Sequence, residues 1–236
     1  MNVAVIVAGG SGQRTGIGGG KQLATVAGLP VLYHTVAAFA GCAPIDRIVV
    51  VVHPDRIDEY RSVAVLPAGA GKVEAVVGGG ATRQDSVAVG LSAVPDGADV
   101  IAVHDGARPL VTPELIAEAV SVLEGDGSLD GVVVGHPSYD TLKSVDAAGR
   151  VTGTLDRSAV WAAQTPQVFR AAALRRAYAE AAASGFEGTD DASLVERSGG
   201  RIAMVAGPRD NIKITVPEDL VMAESLLAVR SKGAGR

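Results

Sequence analysis

Six short runs of mainly β-branched residues alternate with helix-forming stretches along this chain of 236 residues, and this alternation constrains the fold more than any other feature. Strands separated by helices are typical of a mainly parallel sheet, because parallel neighbours need a crossover connection. The predicted strands are residues 3–8, 47–52, 73–77, 100–104, 131–134 and 202–205, and the predicted helices are 32–39, 83–94, 113–123, 171–183, 190–197 and 217–229. The sequence therefore predicts an α/β fold, a Rossmann-like, mainly parallel sheet with flanking helices.

Composition fits one buried sheet. Aromatic residues make up only 3% of the chain while 47% is hydrophobic, so the core is built from Val, Ala, Leu and Ile. The length falls within the range of one α/β domain. We expect a single domain over residues 1–230, followed by a flexible tail over residues 231–236.

Charge and cysteine content limit the partners and the compartment. The net charge of −5 argues against nucleic acid or an anionic membrane as a main partner, so local cations must hold any anionic substrate. The single cysteine, Cys42, excludes an intrachain disulfide and fits a reducing compartment. With no apolar run of membrane-spanning length, we expect a soluble, cytoplasmic protein.

One segment, about residues 136–156, breaks the alternation. Residues 141–145 and 150–154 are predicted as two short strands joined by a turn at residues 146–149. Isolated two-stranded ribbons are marginally stable in water, so this hairpin needs a packing partner. We therefore predict that it is an arm that packs on a second subunit in a homodimer.

The first predicted strand opens into a glycine-rich loop, residues 9–20, that contains Arg14 and is followed by Lys21. Glycines let backbone N–H groups approach a polyphosphate, and the two cations add charge, so the pattern indicates a phosphate site. A Walker loop or a dinucleotide fingerprint would each need glycine in place of Thr15, which disfavours a dehydrogenase. The simpler alternative is a glycine-rich turn with solvated charges.

Two further segments follow predicted strands. Asp105 and Arg108 lie at the carboxyl edge of the sheet, where open α/β sheets bind ligands. Asp105 can there orient a sugar hydroxyl or lie near a metal; alternatively it caps the next turn, and Arg108 pairs with a surface acid. Residues 78–86 offer backbone amides and the Ser86 hydroxyl at a helix start, which could contact a base edge.

Three more candidates lie later in the chain. Lys213 falls in a short β-branched run, residues 211–215, which predicts a strand; a solvated lysine is the alternative. Arg157 and Thr165 add a cation and a hydroxyl beyond the hairpin. The sequence shows no Ser/His/Asp, Cys/His or metal-ligand motif, whereas nucleotidyl transfer needs mainly positioning and cations. A non-catalytic nucleotide-binding regulator is the other class, which the full set of cations disfavours.

The motifs together resemble a known family. They are the glycine-rich loop with Arg14 and Lys21-Gln22, Gly79-Gly80-x-x-Arg83-x-Asp85-Ser86, His104-Asp105-x-Ala107-Arg108-Pro109, Thr165-Pro166-Gln167-x-Phe169, Thr189-Asp190-Asp191-Ala192 and Asn211-x-Lys213-x-Thr215. In this order, from residue 3 to about residue 220, they are similar to the 2-C-methyl-D-erythritol 4-phosphate cytidylyltransferase family of the non-mevalonate isoprenoid pathway. Ribitol 5-phosphate cytidylyltransferases share the fold and most motifs, and they remain the alternative.

The resemblance implies that CMP is transferred from CTP to methylerythritol phosphate, with Mg²⁺ held mainly by the triphosphate. By the same resemblance the catalytic cations are Arg14, Lys21 and Lys213. The cytidine would contact Ala8, Gly9, Gly10, Gly80, Ser86 and Gly106. The acceptor would contact Asp105, Arg108, Thr141, Arg157, Thr165 and Lys213, of which Thr141, Arg157 and Thr165 would act on the partner subunit's site.

Overall fold

A seven-stranded sheet forms the centre of the computed structural model, which describes residues 1–10, 20–69 and 71–233. The strands in chain order are β1 (Asn2–Val7), β2 (Thr25–Val26), β3 (Leu29–Pro30), β4 (Arg47–Val52), β5 (Val73–Gly78), β6 (Val100–Asp105), β7 (Gly131–Pro137), β8 (Lys143–Val145), β9 (Val151–Thr154), β10 (Trp161–Arg170) and β11 (Ile202–Ala206). The helices are α1 (Val31–Gly41), α2 (Ile57–Tyr60), α3 (Leu66–Gly69), α4 (Arg83–Ser92), α5 (Pro113–Gly125), α6 (Ala171–Ser184), α7 (Asp191–Arg197) and α8 (Pro217–Gly233), with shorter helical turns at Pro54–Arg56, Arg61–Val65 and Arg157–Ala159.

The central sheet has the order β11-β7-β10-β6-β1-β4-β5, and all neighbours are parallel except β10, which runs antiparallel to β6 and β7. The predicted α/β fold is therefore confirmed, and each of the six predicted strands is present with ends shifted by at most three residues. Asp105 is the last residue of β6, in the middle of the sheet.

The antiparallel strand β10 was not predicted. Its middle, residues 164–167, is polar and contains Pro166, which lacks an N–H for a ladder hydrogen bond. The structure accommodates this proline where the register with β7 shifts, between Ala163 and Gln167. The short helical segments between residues 54 and 69 were also not predicted.

Both faces of the sheet are covered. In β1, Ala4 and Ile6 pack towards α1 and α5, whereas Val3 and Val5 pack towards α4 and α6. This alternation follows from the two-residue period of a strand, and it leaves β1 almost wholly buried. The open edge of the sheet that remains for ligands is its carboxyl edge, where β1, β4 and β6 end.

Residues 211–215 do not form a strand, so that prediction is wrong. The segment is instead an irregular stretch tied to the residues after β6, because the backbone N–H of Ile214 donates to the carbonyl of Ala107 at 2.8 Å. Ile214 is buried in a small cluster with α8 residues, which orients its neighbour Lys213 away from that cluster.

The start of α8 is held by the side chain of Asp219. Thr215 and Glu218 have capping-box spacing, but Asp219 is the carboxylate that accepts hydrogen bonds from the Thr215 backbone N–H (2.6 Å), the Thr215 hydroxyl (2.7 Å) and the Val216 N–H (2.9 Å). At its other end α8 runs to Gly233, into the segment predicted as a tail, and residues 234–236 lie outside the described part of the chain. Within that part, none of the helices is both long and apolar enough to cross a membrane.

The hairpin is present as β8 and β9, which pair as a separate two-stranded sheet. In the sequence the hairpin lies between β7 and β10. Four of its apolar side chains are between 46 and 62% exposed, namely Tyr139, Val145, Val151 and Leu155. We call residues 138–160 the arm.

Candidate active site

Three cations surround the carboxylate of Asp105 at the carboxyl end of β6. Lys213 Nζ lies 2.9 Å from Oδ2, Arg83 Nε lies 3.1 Å from Oδ1, and Arg108 Nε lies 3.4 Å from Oδ2. The Asp105 side chain is only 8% exposed. Burial by itself raises the pKa of Asp105, but the charges of Arg83, Lys213 and Arg108 outweigh it and hold the pKa well below its usual range. We call these four residues the Asp105 cluster; its acid is a permanent carboxylate.

Arg83 is brought to the cluster by the start of α4. Thr82 Oγ1 accepts the N–H of Asp85 at 3.0 Å, and Asp85 Oδ2 accepts the N–H of Thr82 at 3.1 Å, which is a complete capping box. This capping box fixes the first turn of α4 beside the carboxyl edge of the sheet. The sequence analysis did not single out Arg83 as a site residue, although its place at the first position of a helix after a glycine loop was a signal.

Arg108 and Lys213 are held by the irregular segment at residues 211–215. Arg108 Nη1 donates to the carbonyl of Asn211 at 2.8 Å, and Asn211 Nδ2 donates to the carbonyl of Thr165 at 2.9 Å. Arg108 therefore pairs with Asp105 and not with a surface acid, which excludes that alternative. Lys213 keeps 36% of its side chain exposed while it contacts Asp105, so it can also reach a ligand.

Thr165 lies in β10 beside Asp105 of its own chain, so the prediction that it acts on the partner subunit's site is wrong. Together with His104 it supports the backbone at Asp105. The N–H of Asp105 donates to Thr165 Oγ1 at 3.1 Å, and Thr165 Oγ1 lies 3.0 Å from His104 Nδ1. Since the threonine hydroxyl already accepts one bond, it donates to Nδ1, and His104 Nε2 then carries the proton towards the carbonyl of Arg108 at 3.4 Å. Burial is the main cause that lowers the pKa of His104 to about 3, so this histidine is neutral.

The ends of β1 and β5 meet around Ser86. The N–H of Gly80 donates to Ser86 Oγ at 3.2 Å, and Ser86 Oγ donates to the carbonyl of Thr82 at 2.9 Å. A methyl group at Gly79 would lie 2.7 Å from Ser86 Oγ, and one at Gly9 would lie 3.5 Å from it. The two glycine segments therefore approach the same hydroxyl, and a side chain at Gly79 would clash with it.

Gly106 closes the other side of this region. Its N–H donates to the carbonyl of Val7 at 2.8 Å, and a methyl group at Gly106 would lie 2.9 Å from Ala8 Cβ. Gln22 Nε2 reaches back to the carbonyl of Gly10 at 3.5 Å. The structure thus gathers the six residues that were assigned to a cytidine around the ends of β1, β5 and β6, namely Ala8, Gly9, Gly10, Gly80, Ser86 and Gly106.

A cavity of about 310 Å³ opens beside this region. Its walls include the four residues of the Asp105 cluster together with Gln164, Thr165, Gln167, Thr189 and Asp190. A larger cavity of about 450 Å³ lies between α6 and α7, but the residues that line it include none of the predicted site residues. The smaller cavity is therefore the candidate site, because it carries the charged groups.

The remaining predicted residues lie elsewhere. Thr141 and Arg157 are exposed on the arm, and among the described residues no hydrogen bond or ion pair joins either of them to the Asp105 cluster. Arg14 lies outside the described residues. Lys21 lies near the start of α8, where its charge acts on Asp219. Burial raises the pKa of Asp219, whereas hydrogen bonds from Val216 and Thr215, and more weakly the charge of Lys21, lower it.

Comparisons with known proteins agree on one family. The family model for 2-C-methyl-D-erythritol 4-phosphate cytidylyltransferase matches residues 2–229. A protein of that name from Geotalea uraniireducens is 44% identical over 226 residues, which cover 95% of this chain and 95% of that protein. The structure is similar to 4-diphosphocytidyl-2C-methyl-D-erythritol synthase from Anaerococcus prevotii, with a TM-score of 0.85, 30% identity and 96% of each chain covered. It is also similar to 2-C-methyl-D-erythritol 4-phosphate cytidylyltransferase from Thermus thermophilus, with a TM-score of 0.75, 36% identity, and 96% of this chain and 98% of that chain covered.

Proposed function

This chain belongs to the 2-C-methyl-D-erythritol 4-phosphate cytidylyltransferase family, and from that premise we propose how the residues around Asp105 serve the reaction. The enzyme transfers CMP from CTP to 2-C-methyl-D-erythritol 4-phosphate, and it forms CDP-methylerythritol and pyrophosphate in isoprenoid biosynthesis. The observation that carries the proposal is the Asp105 cluster, since it places three cations around one buried carboxylate beside two glycine segments.

The proposed cytidine site is the region around Ser86. Ala8, Gly9, Gly10, Gly80, Ser86 and Gly106 would line the nucleoside. Support comes from the approach of both glycine segments to Ser86, since backbone amides and carbonyls without side chains can hydrogen-bond to a base edge. We propose that this site accepts a pyrimidine and excludes a purine, because specificity for a base combines edge hydrogen bonds with steric exclusion.

The proposed acceptor site is the cavity beside the Asp105 cluster. Asp105 remains charged, so it is suited to accept hydrogen bonds from the hydroxyls of methylerythritol. Lys213 and Arg108 supply positive charge for the acceptor phosphate. Thr165 Oγ1 already contacts Asp105 and His104, which leaves one lone pair for a hydroxyl of the acceptor.

The chemistry needs no general base. The nucleophile is a phosphate oxygen of the acceptor that is already ionised at neutral pH, so the main barrier is the approach of two anions. A bond forms from that oxygen to the α-phosphorus of CTP, while the bond from the α-phosphorus to its bridging oxygen breaks and the electron pair leaves with pyrophosphate. We assign Arg14, Lys21 and Lys213 to offset this charge, each contributing on the order of a few kcal/mol in the transition state.

We propose that Mg²⁺ enters with CTP and is held mainly by the triphosphate oxygens. Both carboxylate oxygens of Asp105 already contact cations, so this residue fits a hydroxyl partner better than a metal ion. When bound, the ion neutralises part of the triphosphate charge.

We further propose that the active form is a cytoplasmic homodimer in which the arm of one protomer completes the site of the other. The four exposed apolar side chains of the arm support this proposal, because a two-stranded ribbon cannot bury them by itself and a second subunit could cover them. Thr141 and Arg157 lie on that arm, and so does Lys143, whose Nζ donates to Thr154 Oγ1 at 2.7 Å. The cytoplasmic part of the proposal is supported by the single cysteine, Cys42, which fits a reducing compartment.

The test compares two lysine variants with the wild type in an assay of pyrophosphate release from CTP, Mg²⁺ and methylerythritol phosphate. Lys213→Met should lower kcat/KM by about 10² or more, as expected for a lost transition-state cation. Lys72→Met is the matched control, because Lys72 precedes β5 at the amino end of the parallel strands, opposite the cluster, and its Nζ donates to the carbonyl of Cys42. Equal activity of the two variants would show that Lys213 has no role in the reaction. In the same assay with ribitol 5-phosphate as acceptor, faster transfer than to methylerythritol phosphate would show that the proposed acceptor is wrong.

A further inference from the structure

A hydrogen-bonded chain leads from Asp105 into the protein interior through residues to which the reaction assigns no role. Arg83 Nε contacts Asp105 Oδ1 at 3.1 Å, and Arg83 Nη2 contacts Asp191 Oδ2 at 2.8 Å. Tyr178 Oη donates to the other oxygen, Asp191 Oδ1, at 2.5 Å. We propose that Arg83 is a positioning residue for the acceptor, anchored by Asp191 and Tyr178, and that it orients the Asp105 carboxylate; this rests on the acceptor role proposed for Asp105.

The backbone at Asp191 is held by contacts that do not involve Arg83. Its neighbour Asp190 caps α7 by accepting the N–H of Ser193 at 2.9 Å. Gln167 in β10 holds the same turn from the sheet, because its Nε2 donates to Asp190 Oδ2 at 2.7 Å and its Oε1 accepts the N–H of Ala192 at 3.0 Å. The start of α7 is therefore clamped to β10, and Asp191 is held in place.

The Asp191 carboxylate needs Arg83. Asp191 is fully buried, and an unpaired buried charge is strongly unfavourable. Arg83 supplies the compensating cation, and Tyr178 supplies a hydroxyl donor to the second oxygen. Burial and, after it, the charge of Asp191 raise the pKa of Tyr178, so the phenol keeps its proton and stays a donor. The guanidinium is thus fixed from the interior side before any ligand enters.

The geometry assigns Arg83 to orientation and not to direct contact with the acceptor. Two of its nitrogens are already engaged with carboxylates, and its side chain is 31% exposed. At Asp105, Arg83 holds Oδ1 while Lys213 and Arg108 hold Oδ2. Cations on both oxygens fix the rotation of the carboxylate about its last side-chain bond. Without Arg83, none of the other described residues places a cation on Oδ1, and the plane of the carboxylate is no longer set.

The test measures KM for methylerythritol phosphate, KM for CTP, and kcat in full-length variants. Arg83→Gln should raise KM for methylerythritol phosphate about tenfold or more, the range for a lost charge-assisted hydrogen bond, with KM for CTP changed less than about threefold. Tyr178→Phe removes only one hydroxyl, so it should shift the same constant in the same direction by about two- to fivefold. It carries the test if Arg83→Gln does not fold.

Arg175→Gln is the matched control. Arg175 lies on α6 close to Tyr178 and ties this helix to α4 through hydrogen bonds to the carbonyls of Leu91 (3.1 Å) and Val94 (3.2 Å). It joins the same two helices as the Tyr178 and Arg83 chain, but it does not contact Asp105 or Asp191. The control should lower Tm without changing the ratio of the two KM values.

A double variant separates orientation from direct binding. If Arg83 acts through Asp105, Arg83→Gln should raise KM for methylerythritol phosphate no further in an Asp105→Asn background. A second increase of similar size would mean that Arg83 contacts the acceptor itself, which overturns the inference. An unchanged KM in Asp105→Asn alone would instead refute the acceptor role of Asp105. A raised KM in Asp105→Asn with normal values in Arg83→Gln and Tyr178→Phe would refute only the role of Arg83.

Discussion

His104 makes the stability of this protein depend on pH in a way that can be calculated. Its imidazole is buried against Phe39, with ring centroids 5.0 Å apart, and both nitrogens lie near fixed partners, the Thr165 hydroxyl and the Arg108 carbonyl. A proton on Nδ1 would face the hydroxyl hydrogen that Thr165 donates there. Burial, the main cause, together with the nearby cations lowers the pKa of His104 to about 3 in the folded protein.

The size of the effect follows from proton linkage. An unfolded histidine titrates at a pKa of about 6.5, so below that pH the unfolded chain binds a proton that the folded protein does not. The free energy of unfolding therefore falls by about 1.4 kcal/mol per pH unit between about 6.5 and the folded pKa. Between pH 7.5 and pH 5.0 the expected loss from His104 is about 2 kcal/mol. The lowered pKa of Asp105 gives stability that is lost only below the unfolded value of about 3.9, outside this window.

The assay is urea unfolding of the wild type and of His104→Gln at pH 7.5 and pH 5.0, with ΔG extrapolated to water. Glutamine has a donor and an acceptor but does not titrate. Because His34, His53 and His136 are present in both proteins, the difference between the two pH-dependent losses isolates His104. We expect the wild type to lose about 2 kcal/mol more than the variant on acidification. Equal losses in both proteins would refute the assignment of a neutral, buried imidazole.

Three further predictions concern the reaction. Lys21→Ala should lower the transfer rate by about 10² or more with little change in Tm, as expected for one lost transition-state cation, and near-normal turnover of the folded variant would exclude this role. CTP should be used far better than ATP or GTP in pyrophosphate release, because the proposed site around Ser86 excludes a purine; comparable rates with a purine triphosphate would refute the assigned base site. If the arm works in the partner's site, mixing inactive Lys21→Ala and Arg157→Ala subunits should restore about a quarter of the wild-type number of active sites, as two-fold symmetry requires. Verified heterodimers without activity, or a monomer that is fully active in sedimentation experiments, would show that the arm does not act on the partner's site.

Local patterns were enough to predict the scaffold and the glycine segments that meet at its carboxyl edge. Runs such as residues 48–52 are wholly apolar and β-branched, and this pattern is typical of a strand in a sheet that is covered on both faces. The glycines and Ser86 were recognisable because each segment directly follows a predicted strand, and carboxyl ends of parallel strands meet at one edge.

Features that depend on distant contacts could not be predicted in the same way. Arg83 is defined as a site residue by partners 22 and 108 residues away in the sequence, Asp105 and Asp191. The β-branched sequence of residues 211–215 resembles a strand locally, but the N–H of Ile214 donates to the carbonyl of Ala107 and not to a sheet neighbour. The strand β10 depends on a register shift that accommodates Pro166, and no local sequence pattern indicates this shift.

We propose that cytidine binds beside Ser86 and the acceptor beside Asp105. A crystal structure of this protein with CDP-methylerythritol tests both positions most directly. We expect electron density for the cytosine ring between Gly9, Gly80 and Ser86, and for methylerythritol hydroxyls within hydrogen-bonding distance of the Asp105 carboxylate. Density for the product in the cavity between α6 and α7, or with its polyol away from Asp105 and Lys213, would contradict this proposal.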